Sequence, residues 1–298
     1  MIKKYFLFSG LTIAFFSALC FLEYTVDAIV NHAKLENYIM FFIGAILMIP
    51  LILFALALGI NEIKRKTDST LPSILLTIAS FIAVLVEMYY LAKNLKNVSE
   101  YFKYDQRTGV YFVMIYASYV TGPFVGFVLS FLSLFSFGQK VETSSQVKPS
   151  CVALSISLGA VGYYTFDLLF RGIAYTSVYD GLANNTMKGL AICLLVSSII
   201  MIITAIPAIL VRAFSKKGQI VAAVFASIGT IAYIVSNVWH IVELSVESRS
   251  SNAITHTLIY TTVLSVAFAF IGIVATIGSF IKDKEKIEET KPIESIEE

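Results

Sequence analysis

The chain has 298 residues, of which 57% are hydrophobic and only 14% charged, where a soluble domain keeps about a quarter of its residues charged. With a mean hydropathy of +0.81 and 22 basic residues against 20 acidic ones, the composition leaves no room for a soluble catalytic domain. The charge is also too balanced for nucleic acid or a strongly anionic partner. The partner that the composition predicts is the lipid bilayer.

Each bilayer crossing takes about 20 apolar residues, and uncharged apolar stretches recur at 5–27, 39–60, 72–92, 110–138, 150–170, 189–211, 219–242 and 257–281. In lipid the backbone must satisfy its own hydrogen bonds, so these stretches predict helices. The fold class expected is therefore all-α, a polytopic membrane bundle of eight transmembrane helices. Lys3-Lys4 ahead of an apolar run could open a signal peptide, but the run from 5 to 22 is longer than a signal core and lacks a small-x-small site. It is read as helix one. The breaks between helices are short and polar, as at 61–68 and 215–218, so sequence neighbours should lie antiparallel.

Orientation follows from the basic residues. Of the 22, 14 fall on the side that holds both termini and 8 on the other, which predicts cytoplasmic termini in the plasma membrane or a secretory-pathway membrane. The sequons at Asn97 and Asn184 fall in loops on the outer side and are the candidate glycosylation sites. The tail 282–298 is charged and poor in apolar residues, which predicts a disordered cytoplasmic segment. Cys20, Cys151 and Cys193 all lie in or beside apolar runs, so no disulfide framework is expected, in contrast to the paired outer cysteines of claudin-type and tetraspanin-type proteins.

The two halves of the chain align weakly. At an offset of 150, Ile78–Ala83 lies on Ile228–Tyr233, and Glu87, Tyr89, Tyr90 and Lys93 meet Asn237, Trp239, His240 and Glu243. An offset of 144 brings Glu23 onto Asp167 and Asp27 onto Arg171. Four helices per unit is an even number, so the copies would be parallel repeats: a first unit at 1–138, a linker at 139–149 and a second unit at 150–281. Two tetraspan units with cytoplasmic termini resemble the double-MARVEL arrangement of membrane-organising proteins. That resemblance covers the whole chain and is architectural, with no motif residue matched.

Apart from lysines and arginines at the cytoplasmic ends, charges inside or bordering the predicted spans fall on odd-numbered helices and toward their outer ends. Glu23, Glu87, Asp167, Asn237 and His240 form a candidate intramembrane polar cluster. Interfacial snorkelling to water is the bland alternative for Glu23 and Asp167. The signs at matched positions are reversed, which suggests one ion pair per unit, Asp27 with Lys93 and Arg171 with Glu243. His240 and Glu243, three apart on a helix, are a weak metal signal, and neither a metal nor any other cofactor is expected. Nucleophile-elbow, zincin and phosphate-loop motifs are missing, so no enzymatic activity is expected. Tyr24, Tyr89, Tyr90 and Trp239 read as an outer aromatic belt. Ser118, Gly122, Gly126 and Ser130 put a small residue at every fourth position of helix four, a stripe suited to close helix contact within the molecule or in a lateral homo-oligomer. Together these features predict a non-enzymatic membrane-organising or scaffold protein, with a small-solute transporter or channel as the alternative.

Overall fold

The computed structural model describes residues 2–30, 38–65, 69–135, 149–179, 185–214, 219–248 and 270–280, and some helical side chains within them are not described. Seven long helices follow one another: α1 (Ile2–Val30), α2 (Ile39–Arg65), α3 (Leu71–Tyr104), α4 (Gln106–Leu132), α5 (Pro149–Tyr179), α6 (Asn185–Phe214) and α7 (Gln219–Ser248). An eighth, α8, is described over Phe270–Ser279. Among the described residues there are no strands. Six helices are long and apolar enough to cross a membrane, and α6 and α8 carry the shorter apolar stretches Lys188–Thr204 and Phe270–Ser279. The chain is a multi-pass membrane helical bundle. The predicted linker at 139–149, apart from Pro149 at the start of α5, and the tail 282–298 lie outside the described residues.

Several helices run past the apolar stretches that predict them. The 34 residues of α3 rise about 51 Å at 1.5 Å each, against a hydrocarbon core of about 30 Å, so its last turns stand beyond the lipid. The chain reverses there in a single residue. Asp105, extended at φ −159° and ψ 127°, ends α3 and caps α4 by accepting from the Arg107 and Thr108 amides and the Thr108 hydroxyl. These hydrogen bonds hold its carboxyl below the usual range, the Thr108 hydroxyl contributing most. Tyr101 stacks on Phe112 with ring centroids 4.0 Å apart, and Phe102 lies so close to Gly109 that an added Cβ would come within 2.4 Å of its ring. A side chain at 109 would push the hairpin apart.

Helices α1 and α5 form the middle of the bundle, with 67% and 56% of their most apolar stretches buried, against 33% for α2 and 22% for α4. Helix α1 packs on α2, α3, α4 and α5, and α5 packs on α4, α6 and α7. Membrane helices have no hydrophobic drive toward each other, so contact depends on small residues and hydrogen bonds. On the α1–α5 seam the Ser9 hydroxyl donates to the Ser155 carbonyl at 2.8 Å, and a Cβ on Gly159 would stand 2.7 Å from the Ser9 carbonyl oxygen. The small-residue stripe of α4 closes on the same axis. Ser118, Gly122, Gly126 and Ser130 are all buried; a Cβ at 122 would meet Tyr163 at 2.9 Å and one at 126 would meet Ile13 at 2.6 Å. Ser130 and Ser80 join α4 to α3 with their hydroxyls 3.0 Å apart. The stripe is thus used within the molecule. Ser157, Thr230 and Thr276 tie α5, α7 and α8 together, with hydroxyl separations of 2.7 Å for Ser157–Thr276 and 3.0 Å for Thr230–Thr276.

At the end of the bundle that carries Lys3, the Lys4 ammonium donates to the Glu62 carboxylate, and Glu62 also accepts from the Ser69 amide at 3.1 Å. Lys3 donates to the Ser69 carbonyl at 2.9 Å. The sequence reading puts Glu62 in a polar break and keeps charge off the even-numbered helices. The structure corrects this, because α2 continues to Arg65 and turns Glu62 inward, leaving it 5% exposed. An apolar stretch marks where lipid ends, and a helix continues for as long as its backbone is satisfied.

Candidate functional site

The candidate polar cluster lies toward the other end of the bundle, around Cys20 of α1. Glu87 lies about 24 Å along α3 from Leu71 by helix rise and is 3% exposed. Asn237, its partner in the repeat alignment, is also 3% exposed, and its side-chain amide donates to the Tyr233 carbonyl at 2.8 Å. Asp167 is buried and Glu23 half-buried. Cys20, whose thiol is 3.0 Å from the Tyr163 hydroxyl, is in electrostatic reach of Glu23, Glu87 and Asp167. The structure therefore brings three of the five predicted residues, Glu23, Glu87 and Asp167, around one side chain from both halves of the chain, while Asn237 is buried on α7 against its own helix. The side chain of the fifth, His240, lies outside the described residues.

Asp167 does not snorkel to water as an interfacial residue would. One helical turn away, Arg171 Nε donates to Asp167 Oδ1 at 2.9 Å, and the guanidinium carbon sits 5.9 Å from the Tyr119 ring centroid. A carboxylate at this depth is costly alone, and the i,i+4 geometry supplies its counter-charge from the same helix. Of the pairs read from the repeat, the Asp27 and Glu243 side chains lie outside the described residues, and Lys93 is exposed on α3. Asn97 stands on α3 with its side chain likewise not described, and Asn184 lies outside the described residues.

Tyrosines line the inner side of the cluster. Tyr89 and Trp239 are 48% and 40% exposed, as an aromatic belt requires. Tyr24 and Tyr90 turn inward, with ring centroids 5.0 and 5.1 Å from that of Phe41. Tyr24 also packs edge-on to Tyr119 at 6.0 Å, and Tyr164 meets Tyr233 at 5.1 Å. Tyr163 and Tyr164 carry no periodic signal that separates them from lipid-facing aromatics. The sequence signal for their inward placement is the small-xxx-small pair Ser155 and Gly159, two turns and one turn before Tyr163, which marks the face that α5 turns to α1.

Two buried polar atoms have no hydrogen-bond partner among the described residues, Glu87 Oε2 and the Tyr233 hydroxyl. They lie on α3 and α7, and each side chain is in electrostatic reach of Cys20. Among the described residues no group of three or more His, Cys, Asp or Glu side chains is placed to hold a metal ion. A groove of about 320 Å³ opens elsewhere, between α6 and α7, lined by Cys193, Ser197 and apolar side chains such as Val196 and Ile231. The chain matches no family model, no curated protein and no solved structure.

Proposed function

We propose that the protein is a non-enzymatic membrane-organising scaffold that acts by lateral packing, built from two parallel four-helix units and holding both termini in the cytoplasm of the plasma membrane or a secretory-pathway membrane. The observation that carries this reading is the closed seam between α1, α4 and α5, where Gly126, Gly122 and Gly159 allow contact that leaves no space for an added methyl group. With the small residues committed inside, the perimeter is large and apolar: Phe54, Ile203, Ile231 and Ile277 are each more than 60% exposed, a surface for lipid or for neighbouring membrane proteins. In support of the repeat, positions 71–89 and 221–239 alternate between buried and exposed in the same order except at Ile82 and Ala232. A small-solute transporter with an outward-facing polar site is the second reading, favoured by the unpartnered oxygen of Glu87.

Reconstitution separates the two. Proteoliposomes of the full chain should show no proton or solute flux above empty vesicles, while energy transfer between labelled copies should rise with protein density in the bilayer. Flux above background that is lost in Glu87→Gln would overturn the scaffold reading.

A further inference from the structure

We propose that Glu87 is a binding site for a small monovalent cation, a proton or a sodium ion. The inference goes beyond the scaffold reading and does not depend on it, because a site can be occupied without turnover. A carboxylate removed from water needs a counter-charge, a set of donors or a proton. Glu87 is 3% exposed, and its Oε2 has no donor among the described residues.

Helix α1 brings Cys20, Glu23 and Tyr24; Tyr38 precedes α2 and reaches the site through Tyr90; α4 brings Tyr116 and Tyr119; and Asp167 and Arg171 of α5 stand behind Tyr119. Lys93, six residues further along α3, is exposed. Arg171 is the cation on the inner side, and its Nε is held 2.9 Å from Asp167. Besides Cys20 and the half-buried Glu23, the described groups near Glu87 are tyrosines, with hydroxyl oxygens and ring faces that accept a cation without adding net charge. With the charge of Asp167 matched by Arg171 and Glu23 half-buried on α1, a carboxylate buried at Glu87 calls for one positive charge of its own, which suits a monovalent ion. The unpartnered Tyr233 hydroxyl, in reach of the same Cys20, is a second buried polar atom in this part of the bundle.

The position in the repeat points the same way. Asn237 occupies the matching site on α7, equally buried, but as a neutral amide that donates to its own helix at the Tyr233 carbonyl. At one position the chain thus uses a group that needs no counter-ion, and at the other a group that requires one.

Full-length protein in proteoliposomes is treated with dicyclohexylcarbodiimide, an apolar reagent that modifies protonated carboxyls in low-dielectric surroundings, and the label is located by peptide mapping, so no variant is required. The expected result is labelling at Glu87. If the ion is a proton, labelling declines as pH rises and sodium chloride has no more effect than choline chloride. If it is sodium, labelling at fixed pH is suppressed by sodium chloride and not by choline chloride. Labelling at Glu87 that responds to neither pH nor sodium overturns the proposal. So does an infrared carboxylate band, assigned by its loss in Glu87→Gln, that is unchanged by acid and by sodium.

Discussion

Gly159 and Gly162 lie three residues apart on α5 and should respond in opposite ways to the same substitution. A Cβ at 159 would meet the Ser9 carbonyl oxygen at 2.7 Å and the Thr12 Cβ at 2.8 Å, while one at 162 has Ile13 Cδ1 at 3.9 Å as its nearest neighbour. Backbone cannot swing aside as a side chain can, so Gly159→Ala should cost about 1–3 kcal/mol through overpacking. Gly162→Ala should be neutral or slightly stabilising, since alanine loses less conformational freedom in a helix. Thermal unfolding in detergent of the two variants measures the contrast, and equal shifts would mean that the α1–α5 seam is looser than its glycines imply. Asp105, between α3 and α4, couples stability to pH. Its folded-state carboxyl is held low by the capping hydrogen bonds, so its contribution is fully present above the carboxylate's unfolded value and is lost as pH falls through the folded one. Asp105→Ala should lower the melting temperature at neutral pH, with the gap to wild type closing in acid, whereas a gap independent of pH would show that the cap acts without its charge.

Between elements, the ion pair of Lys4 with Glu62 joins α1 to α2 with side-chain exposures of 10% and 6%. Removing one partner of a buried pair strands the other, at a cost of about 3–5 kcal/mol, while removing both is far milder. Lys4→Met and Glu62→Leu should each destabilise the bundle and the double variant should recover most of the loss. Additive effects in a double-mutant cycle would show that the pair is uncoupled. This pair was not legible in the sequence: Lys4 reads there as a topology signal and Glu62 as part of a polar connection, because hydropathy records where lipid ends and carries no information about which helix lies across the bundle. The existence and order of the helices were legible for the opposite reason, since a backbone in lipid has few ways to satisfy itself. The stripe of α4 was legible as an interface, but whether Gly122 and Gly126 meet Tyr163 and Ile13 of the same chain or a second molecule is decided by three-dimensional packing alone. Replacing both with Leu should therefore lower the folded yield of the monomer. Intact folding with loss of association would move the stripe to an interface between copies.

For the molecule as a whole, the polar cluster was legible as a set of residues and not as a geometry. Glu23, Glu87, Asp167 and Asn237 stand out in the sequence because ionisable or amide groups are rare in such stretches. The convergence of Glu23, Glu87 and Asp167 on Cys20 requires α1 and α5 to be central, which the structure shows through the burial of those two helices. That centrality has a consequence for topology. If α1 and α5 are equivalent first helices of parallel units, they enter the membrane from the same side, and the 14-to-8 division of basic residues puts that side in the cytoplasm. Epitope tags at the N-terminus and at the C-terminus should then both be inaccessible to antibody in intact cells and both exposed on permeabilisation. A glycan at Asn97, sensitive to glycosidase, would place the α3–α4 turn on the opposite face. An N-terminal tag reached from outside would invert the bundle, and termini on opposite faces would require an odd number of crossings. An odd number cannot be divided into two parallel four-helix units, so that result would remove the repeat as well as the orientation.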